Sequence, residues 1–378
     1  MRRFFLLLST IFFLYASWTV IEKKSVGTEY EEAIETIKME MDGIKDNPNI
    51  QNTLDSILGS ILQVFGELNQ VIEKEQSTPN PVQEVDPPNL EPSTTQLFSI
   101  YNIALGDTRE TVEDITGQAK RTSYNEYGTE WYTYHDQYQH FMMVAYDEDN
   151  KVVGMYTNHD LIASSTGLKL ESKKEEVRSI LGEPMKYISK GLVNYQFPED
   201  RGYDMFELDN SFVTIFYDQH ENNRVTSIQL IDKKLENGKK DFYTTPSDPL
   251  KEGLEVQLFD LTNATRVEKG LHPLEWDDQV KVTARNHSID MAENNYFDHT
   301  NLKGESPFDR MLEDGIKYSL AGENLASGQF SSIFAHEGLM NSLGHRENIL
   351  HPEFELLGVG VAFNDKANPY YTENFYTK

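Results

Sequence analysis

The chain has 378 residues, more than one typical domain needs, which predicts two or three domains. It carries 62 acidic and 34 basic residues, a formal net charge of -28, so it repels nucleic acid and anionic lipid headgroups, and neither is expected as its main partner. It has no cysteine, which excludes disulfide bonds and thiol chemistry.

The first 25 residues predict a membrane-targeting segment. Arg2 and Arg3 precede an almost wholly apolar stretch at 4–21, which is long enough to span a bilayer. No good small-x-small cleavage site follows it. We therefore expect an uncleaved anchor with the rest of the chain on the outer side of the membrane; a cleaved signal peptide is the alternative. Either one exports the chain, so we expect an extracytoplasmic protein, membrane-anchored or secreted.

Two connecting segments follow the anchor. At 26–76, apolar residues such as Ile34, Ile37 and Met41 recur at helical spacing and predict a helical stalk. The stretch at 77–94 is rich in proline and has no apolar period, which predicts a semi-rigid, extended linker.

Residues 95–235 contain an internal repeat. Each copy has a Val-x-x-Ile-x-Gly string, then a Tyr-Asp pair, then a basic residue followed by valine. These features fall at Val112, Tyr146 and Lys151 in the first copy and at Val177, Tyr217 and Arg224 in the second. Each copy predicts a short helix that ends at a left-handed glycine and continues into aromatic, alternating strands. The crowded aromatic residues at 124–138 are either a carbohydrate-stacking surface or the packing of a small sheet.

Residues 248–378 predict four helices and a terminal pair of strands. An apolar stripe at Leu254, Leu258 and Leu261 marks the first helix, which ends at Gly270. The other three helices are expected to begin at Asp277, at Ser306, and at Ser331 or Ser332. The two strands are expected at 356–363 and 370–375.

Four short motifs lie in this C-terminal region. They are Tyr296-Phe297-Asp298-His299, Gly322-Glu323-Asn324-Leu325-Ala326, Gly344-His345-Arg346-Glu347-Asn348 and Gly358-Val359-Gly360-Val361. In this order they resemble the CAP superfamily of cysteine-rich secretory, antigen 5 and pathogenesis-related proteins, over about 252–378. The absence of cysteine fits the bacterial branch of that family. The repeat region resembles the CAP-associated N-terminal domain. The resemblance implies an α+β chain: a C-terminal α-β-α sandwich preceded by a two-repeat α+β domain and the helical stalk.

The resemblance also implies a site. By position in the motifs, His299 and His345 face each other across a cleft, with Glu323 beside them. Two imidazoles and a carboxylate suit a divalent cation such as Zn²⁺ or Mg²⁺ with one position open for water. They also suit activation of a water with Glu323 as base. In the alternative reading, Glu323 and Asn324 hold the loop through hydrogen bonds and the histidines complete a polar network.

One departure from the family pattern argues against an enzyme. Many members carry a second glutamate before Gly-His, and this chain has Ser342 there, a poor ligand and no base. Among the other histidines, His287 is predicted in the core, His272 and His351 at the surface or as caps, and His336 on a solvated helix face.

Three functions agree with these patterns. The first is an exported binding module at the cell envelope, whose cleft takes a cell-wall fragment, a lipid or a peptide. The alternatives are a metal-assisted hydrolase or peptidase that uses the same cleft, and a structural component of a surface or spore layer.

Overall fold

The computed structural model describes residues 85–199 and 201–378, and residues 81–378 form one compact unit. The expected anchor at 1–25, the stalk at 26–76 and the first part of the linker at 77–94 lie outside the described residues. Among the residues that are described, no helix is long and apolar enough to cross a membrane.

The repeat domain is built around a twisted seven-stranded antiparallel sheet with the strand order β2-β3-β4-β5-β11-β10-β9. Two short strand pairs, β1-β6 and β7-β8, flank it. The strands are β1 Phe98–Ile100, β2 Arg121–Tyr124, β3 Glu130–Asp136, β4 Gln139–Tyr146, β5 Val152–Thr157, β6 Ile162–Ser164, β7 Tyr187–Lys190, β8 Val193–Gln196, β9 Tyr203–Leu208, β10 Ser211–Asp218 and β11 Arg224–Asp232. The helices are α1 Arg109–Thr116, α2 Lys174–Leu181 and α3 Lys233–Gly238.

The sequence repeat is also a structural repeat. Helix α1 precedes the hairpin β4-β5, and α2 precedes the hairpin β10-β11. Both hairpins change register at the repeated tyrosine, Tyr146 in one and Tyr217 in the other. The two copies meet where β5 pairs with β11, so the seven-stranded sheet joins both repeats through its centre.

The glycines that end α1 and α2 differ in part from the expectation. Gly117 and Gly182 have the expected positive φ, 74° and 84°, but their ψ values, -167° and -159°, lie outside the left-handed helical region. Only glycine adopts this backbone conformation readily, which explains the repeated residue.

The C-terminal domain is an α-β-α sandwich, as expected. Its sheet has the order β12-β14-β15-β13, with β12 parallel to β14 and the other pairs antiparallel. Its strands are β12 Glu275–Trp276, β13 Leu320–Ser327, β14 Leu356–Phe363 and β15 Pro369–Thr377. Its helices are α4 Asp248–Glu268, α5 Asp278–Asn294, α6 Pro307–Glu313, α7 Ser332–Met340 and α8 Leu343–Ile349.

The expected helix N-termini are confirmed by their caps. Asp277 accepts a hydrogen bond from the backbone of Val280, and Ser331 accepts one from Phe334. Ser306 forms a capping box with Asp309 ahead of Pro307. The strand β13 and the helix α8 were not expected. Both carry family motifs, so the sequence located these residues without giving their conformation.

Helix α4 is buried on nearly all sides because it lies between two sheets. Its apolar stripe, which includes Leu254 and Leu258, packs against β14 in the sandwich. Its opposite side contacts β2, and the backbone passes so close that a Cβ on Gly253 would lie 2.0 Å from the Tyr124 carbonyl oxygen. Leu261 and Ala264 join one apolar cluster with Trp131 and other residues of the repeat domain.

The segment at 233–247, which connects the two domains, is packed rather than open. Part of it forms α3, where Glu236 pairs with Lys190 at 2.5 Å. After the helix, the ring of Phe242 stacks on Tyr195, with centroids 4.6 Å apart, and meets Phe330 of the C-terminal domain edge-on. The boundary between residues 235 and 248 therefore is not a division between separate compact bodies.

Candidate functional site

His299 lies in the loop between α5 and α6, and two buried side chains hold its backbone. His287 on α5 donates from Nε2 to the carbonyl oxygen of Asp298 at 2.9 Å, and Arg310 on α6 donates to the carbonyl oxygen of His299 at 2.8 Å. His287 is fully buried, as expected from its place on the helix stripe. The imidazole of His299 itself remains half exposed, with 51% of its side chain accessible.

Glu323 on β13 is buried and fully engaged. His299 donates from Nδ1 to its Oε1 at 2.9 Å, and Arg310 donates from Nη2 to its Oε2 at 2.6 Å. The hydrogen bond to the carboxylate raises the pKa of His299, against the opposing effect of burial. Arg310 is buried too, so the charge of Glu323 is balanced by a guanidinium and not by solvent water. The sequence analysis did not identify Arg310.

His345 lies in the first turn of α8, and its environment differs from that of His299. Its Nδ1 is 2.8 Å from Oγ of Ser342, the residue that replaces the second glutamate of the family pattern. Burial and the nearby charge of His299 lower the pKa of His345. The pKa of His299 is therefore shifted upward and that of His345 downward, so the two imidazoles differ in their readiness to carry a charge.

Two asparagines of the motifs join the strand to the helix. Asn324 on β13 donates to the carbonyl oxygen of His345 at 3.1 Å and to the carboxylate of Glu373 at 3.1 Å. Asn348 on α8 donates to Oδ1 of Asn324 at 2.9 Å and to the carbonyl oxygen of Glu323 at 3.2 Å. These bonds fix His345 relative to Glu323. The hydrogen-bonding role expected as the alternative for Asn324 is therefore present.

The expected metal ligands are placed as follows. Across 85–199 and 201–378, no three His, Cys, Asp or Glu side chains are grouped in a way that would hold a metal ion. His299 and Glu323 contact each other directly, but Arg310 takes the carboxylate oxygen that a metal would need. Within the described chain, both imidazoles make their side-chain hydrogen bonds through Nδ1, and their Nε2 atoms bond to no protein group. A divalent cation on His299, His345 and Glu323 stays a prediction.

One prediction for the remaining histidines is wrong. His336 was expected on a solvated face of α7, but it is 1% exposed, and its Nε2 lies 2.7 Å from Oγ1 of Thr265. The reason is the second sheet: α7 packs against α4 and the repeat domain, so its outer face is covered. His272 was expected at the surface or as a cap; it is partly buried, and its Nε2 lies 2.9 Å from the carbonyl oxygen of Phe354, so it joins two loops rather than capping a helix.

Exposed apolar side chains flank the two histidines in sequence. Phe297, two residues before His299, is 52% exposed, and Leu302, three residues after it, is 65% exposed. Leu343, two residues before His345, is 60% exposed. Exposed apolar side chains therefore lie close in sequence to both imidazoles.

Comparisons with known proteins agree with this geometry. Residues 105–242 match the family model of the CAP-associated N-terminal domain, and residues 259–375 match that of the cysteine-rich secretory protein family. The chain is 42% identical over 136 residues to the uncharacterized protein YkwD of Bacillus subtilis, which covers 36% of this chain and 52% of YkwD. It is 45% identical over 121 residues to the uncharacterized membrane protein YlbC of the same organism, covering 32% of this chain and 34% of YlbC. The matched region spans about half of one relative and a third of the other.

Two solved structures share most of the described fold. An extracellular protein containing a SCP domain from Bacillus anthracis aligns with a TM-score of 0.63 and 25% identity, over 78% of this chain and 100% of that one. A cysteine-rich secretory protein from Staphylococcus aureus aligns with a TM-score of 0.57 and 18% identity, over 72% of this chain and 94% of that one. At this identity the alignment supports a shared fold and nothing about function. The chain therefore contains a C-terminal CAP domain, matched over 259–375, that is preceded by a CAP-associated N-terminal domain, matched over 105–242.

Proposed function

We propose that this protein is an exported binding module of the cell envelope, attached to the membrane by its N-terminal segment, and that its CAP cleft binds a ligand without chemical conversion. The apolar stretch at 4–21 supports export and attachment. The solved relative from B. anthracis is described as extracellular, and the B. subtilis relative YlbC as a membrane protein.

One observation carries the choice of binding over catalysis. Both carboxylate oxygens of Glu323 are occupied, by His299 and by Arg310, and His345 contacts a serine where a second acid would stand. A general base must accept a proton from water in the transition state. Both oxygens of Glu323 already accept charge-assisted hydrogen bonds, so a water would have to displace His299 or Arg310 to reach the carboxylate, and displacing Arg310 would leave its buried charge unpaired.

The same arrangement favours an amphipathic ligand. In the part of the chain that the structure describes, the Nε2 atoms of His299 and His345 bond to no protein group. They therefore suit a polar or anionic group of a ligand. The exposed side chains of Phe297 and Leu343 suit an apolar group beside it. A cell-wall fragment, a lipid and an apolar peptide all offer this combination.

The test is co-sedimentation of the full-length chain with purified bacterial cell-wall sacculi and with lipid vesicles. Wild-type protein is compared with His345→Ala, which keeps the N-terminal segment, so any difference in the bound fraction belongs to the cleft. We expect His345→Ala to lose most of the bound fraction on one of the two supports. Equal binding of both proteins to both supports would remove the cleft from the proposal.

A second candidate, a hydrolase, has one observation in its favour. The carboxylate of Glu323 orients His299 through Nδ1, a pairing that also occurs where a histidine acts as general base through Nε2. A hydrolase of this type would lose turnover in His299→Ala while retaining binding in Glu323→Gln. Product analysis of the sedimented material separates the two functions.

A further inference from the structure

The turn between β10 and β11 of the repeat domain contacts the junction between α7 and α8. Asn341, the residue that ends α7, makes most of these contacts. Its side chain donates to the carbonyl oxygen of Tyr217 at 3.0 Å and accepts from the backbone of Gln219 at 2.8 Å. Its carbonyl oxygen accepts from Nε2 of His220 at 3.0 Å. The side chain and backbone of Asn341 are thus held by three residues at or next to the turn, Tyr217, Gln219 and His220.

The same turn also holds the residue that follows His345. Arg346 donates to Oδ2 of Asp218 at 2.6 Å, and both side chains are largely buried, with 14% and 5% accessible. A second carboxylate, Glu221, lies 3.4 Å from Arg346 but is 54% accessible. Because solvent screens exposed pairs strongly, Asp218 is the dominant partner of Arg346.

His345 lies between these two fixed points. Asn341 directly precedes Ser342, and Oγ of Ser342 lies 2.8 Å from Nδ1 of His345. Arg346 follows His345 directly, and its backbone amide donates to the carbonyl oxygen of Ser342 at 2.9 Å. The first turn of α8 therefore cannot shift without breaking contacts to the repeat domain.

A glycine makes this close contact possible. A Cβ on Gly202, at the start of the strand pair that leads into the turn, would lie 2.6 Å from Nδ2 of Asn341. The φ of Gly202 is not positive, so its backbone conformation is open to alanine. Alanine at this position would therefore press on Asn341 without removing any hydrogen-bonding group.

We infer that the CAP-associated domain is a working part of the CAP cleft: its 218–223 turn positions the imidazole of His345 through Asn341 and Arg346. The inference rests on the proposed function, in which His345 contacts the ligand. Asp218 and Asn341 are positioning residues, and a CAP domain without the turn would hold His345 differently.

The test follows the ring signals of ¹³C-labelled histidine by NMR in the full-length chain at one fixed pH, with His345 assigned through His345→Ala, and measures the nuclear Overhauser contact between the His345 ring and the side chain of Ser342. Asp218→Asn removes the charge facing Arg346 and keeps Oδ1, which accepts from the backbone of His220 and Glu221. Glu221→Gln is the matched control on the same arginine. We expect Asp218→Asn and Gly202→Ala to weaken the contact between His345 and Ser342 and shift the ring signals of His345, because the first turn of α8 loses its attachment to the repeat domain, and Glu221→Gln to leave both unchanged.

Two results would overturn the inference. One is a wild-type ring spectrum of His345, with its contact to Ser342 intact, in both Asp218→Asn and Gly202→Ala, whether or not the melting temperature falls, because the turn would then stabilise the interface only. The other is an equal shift in Glu221→Gln, which would indicate a general charge effect. Failure of the proposed function is distinguishable, because it appears as unchanged ligand binding in His345→Ala.

Discussion

Arg310 determines what the acid of the Gly-Glu-Asn motif can do. It pairs with Glu323 at 2.6 Å, and both residues are buried, so a cation or a water that approaches this carboxylate has to compete with a guanidinium already in place. The sequence located His299, Glu323 and His345 through their motifs. It could not locate Arg310, because a single arginine on a short helix is usually a solvated residue, and only the fold brings it to Glu323.

The histidine pair gives a prediction for divalent cations. If Nε2 of His299 and of His345 bind Zn²⁺, the ion should raise the melting temperature, with a gain of about 2.7 kcal/mol at 100 times its dissociation constant. Ligation needs neutral imidazole, and the pKa of His299 is raised by Glu323, so the gain should fade as the pH falls through and below about 6.5.

Differential scanning fluorimetry with and without Zn²⁺ measures this effect. His299→Ala and His345→Ala should each abolish the shift, and Ser342→Glu, which restores an acid beside His345, should enlarge it. An equal shift in wild type and in both alanine variants would place the ion elsewhere.

At the scale of elements, the Gly358-Val359-Gly360-Val361 motif allows a helix to lie directly on a strand. A Cβ on Gly358 would be 2.3 Å from the backbone nitrogen of Lys281, and one on Gly360 would be 2.0 Å from that of Arg285. The motif therefore brings α5 onto β14 and fixes the loop that follows α5, which carries His299.

Alanine substitutions at two glycines test this packing. Gly360→Ala should destabilise the protein by several kcal/mol or prevent folding, because the backbone of α5 cannot give way. Gly338→Ala on α7 is the control: the nearest atom to its Cβ would be 3.8 Å away, and alanine in a helix gains about 1 kcal/mol over glycine. Urea unfolding of both variants measures the difference. Similar stabilities would show that α5 adjusts freely.

The sequence predicted elements where local signals were strong and missed them where tertiary contacts decide. Helices α4 to α7 and strand β14 have clear stripes, caps or β-branched residues, and they occur where expected. Strand β13, with the sequence Leu-Ala-Gly-Glu-Asn-Leu-Ala-Ser, has weak strand propensity and is held by pairing with β15 along its whole length. Helix α8 is only seven residues long and begins Leu-Gly, so its stability comes from packing rather than propensity.

At the scale of the whole molecule, the two domains form one compact unit with a polar interface as well as an apolar one. Asp260 of α4 pairs with Arg121 at 2.9 Å and accepts from Tyr138 at 3.1 Å. Glu337 of α7 accepts from Tyr156 at 2.7 Å and from Ser227 at 2.6 Å. In a fragment of residues 248–378 alone, these buried acids would lose their partners in the repeat domain.

Glu337 makes the stability of this interface depend on pH. Burial raises the pKa of Glu337 to about 7, and its hydrogen-bond donors Tyr156 and Ser227 carry no positive charge. A folded-state pKa above the unfolded value of 4.5 means that stability is greatest at low pH and is lost as the pH rises through 7. The loss from this group amounts to roughly 3 kcal/mol at most.

Glu337→Gln tests this dependence, because glutamine keeps an acceptor for Tyr156 and Ser227 and carries no charge. We expect the wild type to lose more stability than Glu337→Gln between pH 5 and pH 8 in urea unfolding. Glu347→Gln on the exposed side of α8 should follow the wild type. Parallel pH profiles for wild type and Glu337→Gln would mean that Glu337 is solvated or paired in solution.

Binding without conversion is the central claim, and the co-sedimentation experiment tests it most directly when the bound material is also analysed. Wild type and His345→Ala are incubated with cell-wall sacculi, with lipid vesicles and with apolar peptides, and the recovered material is examined by mass spectrometry. The account predicts binding that depends on His345 and a ligand of unchanged mass. Cleavage products that appear with wild type and disappear with His299→Ala would contradict it and establish a hydrolase.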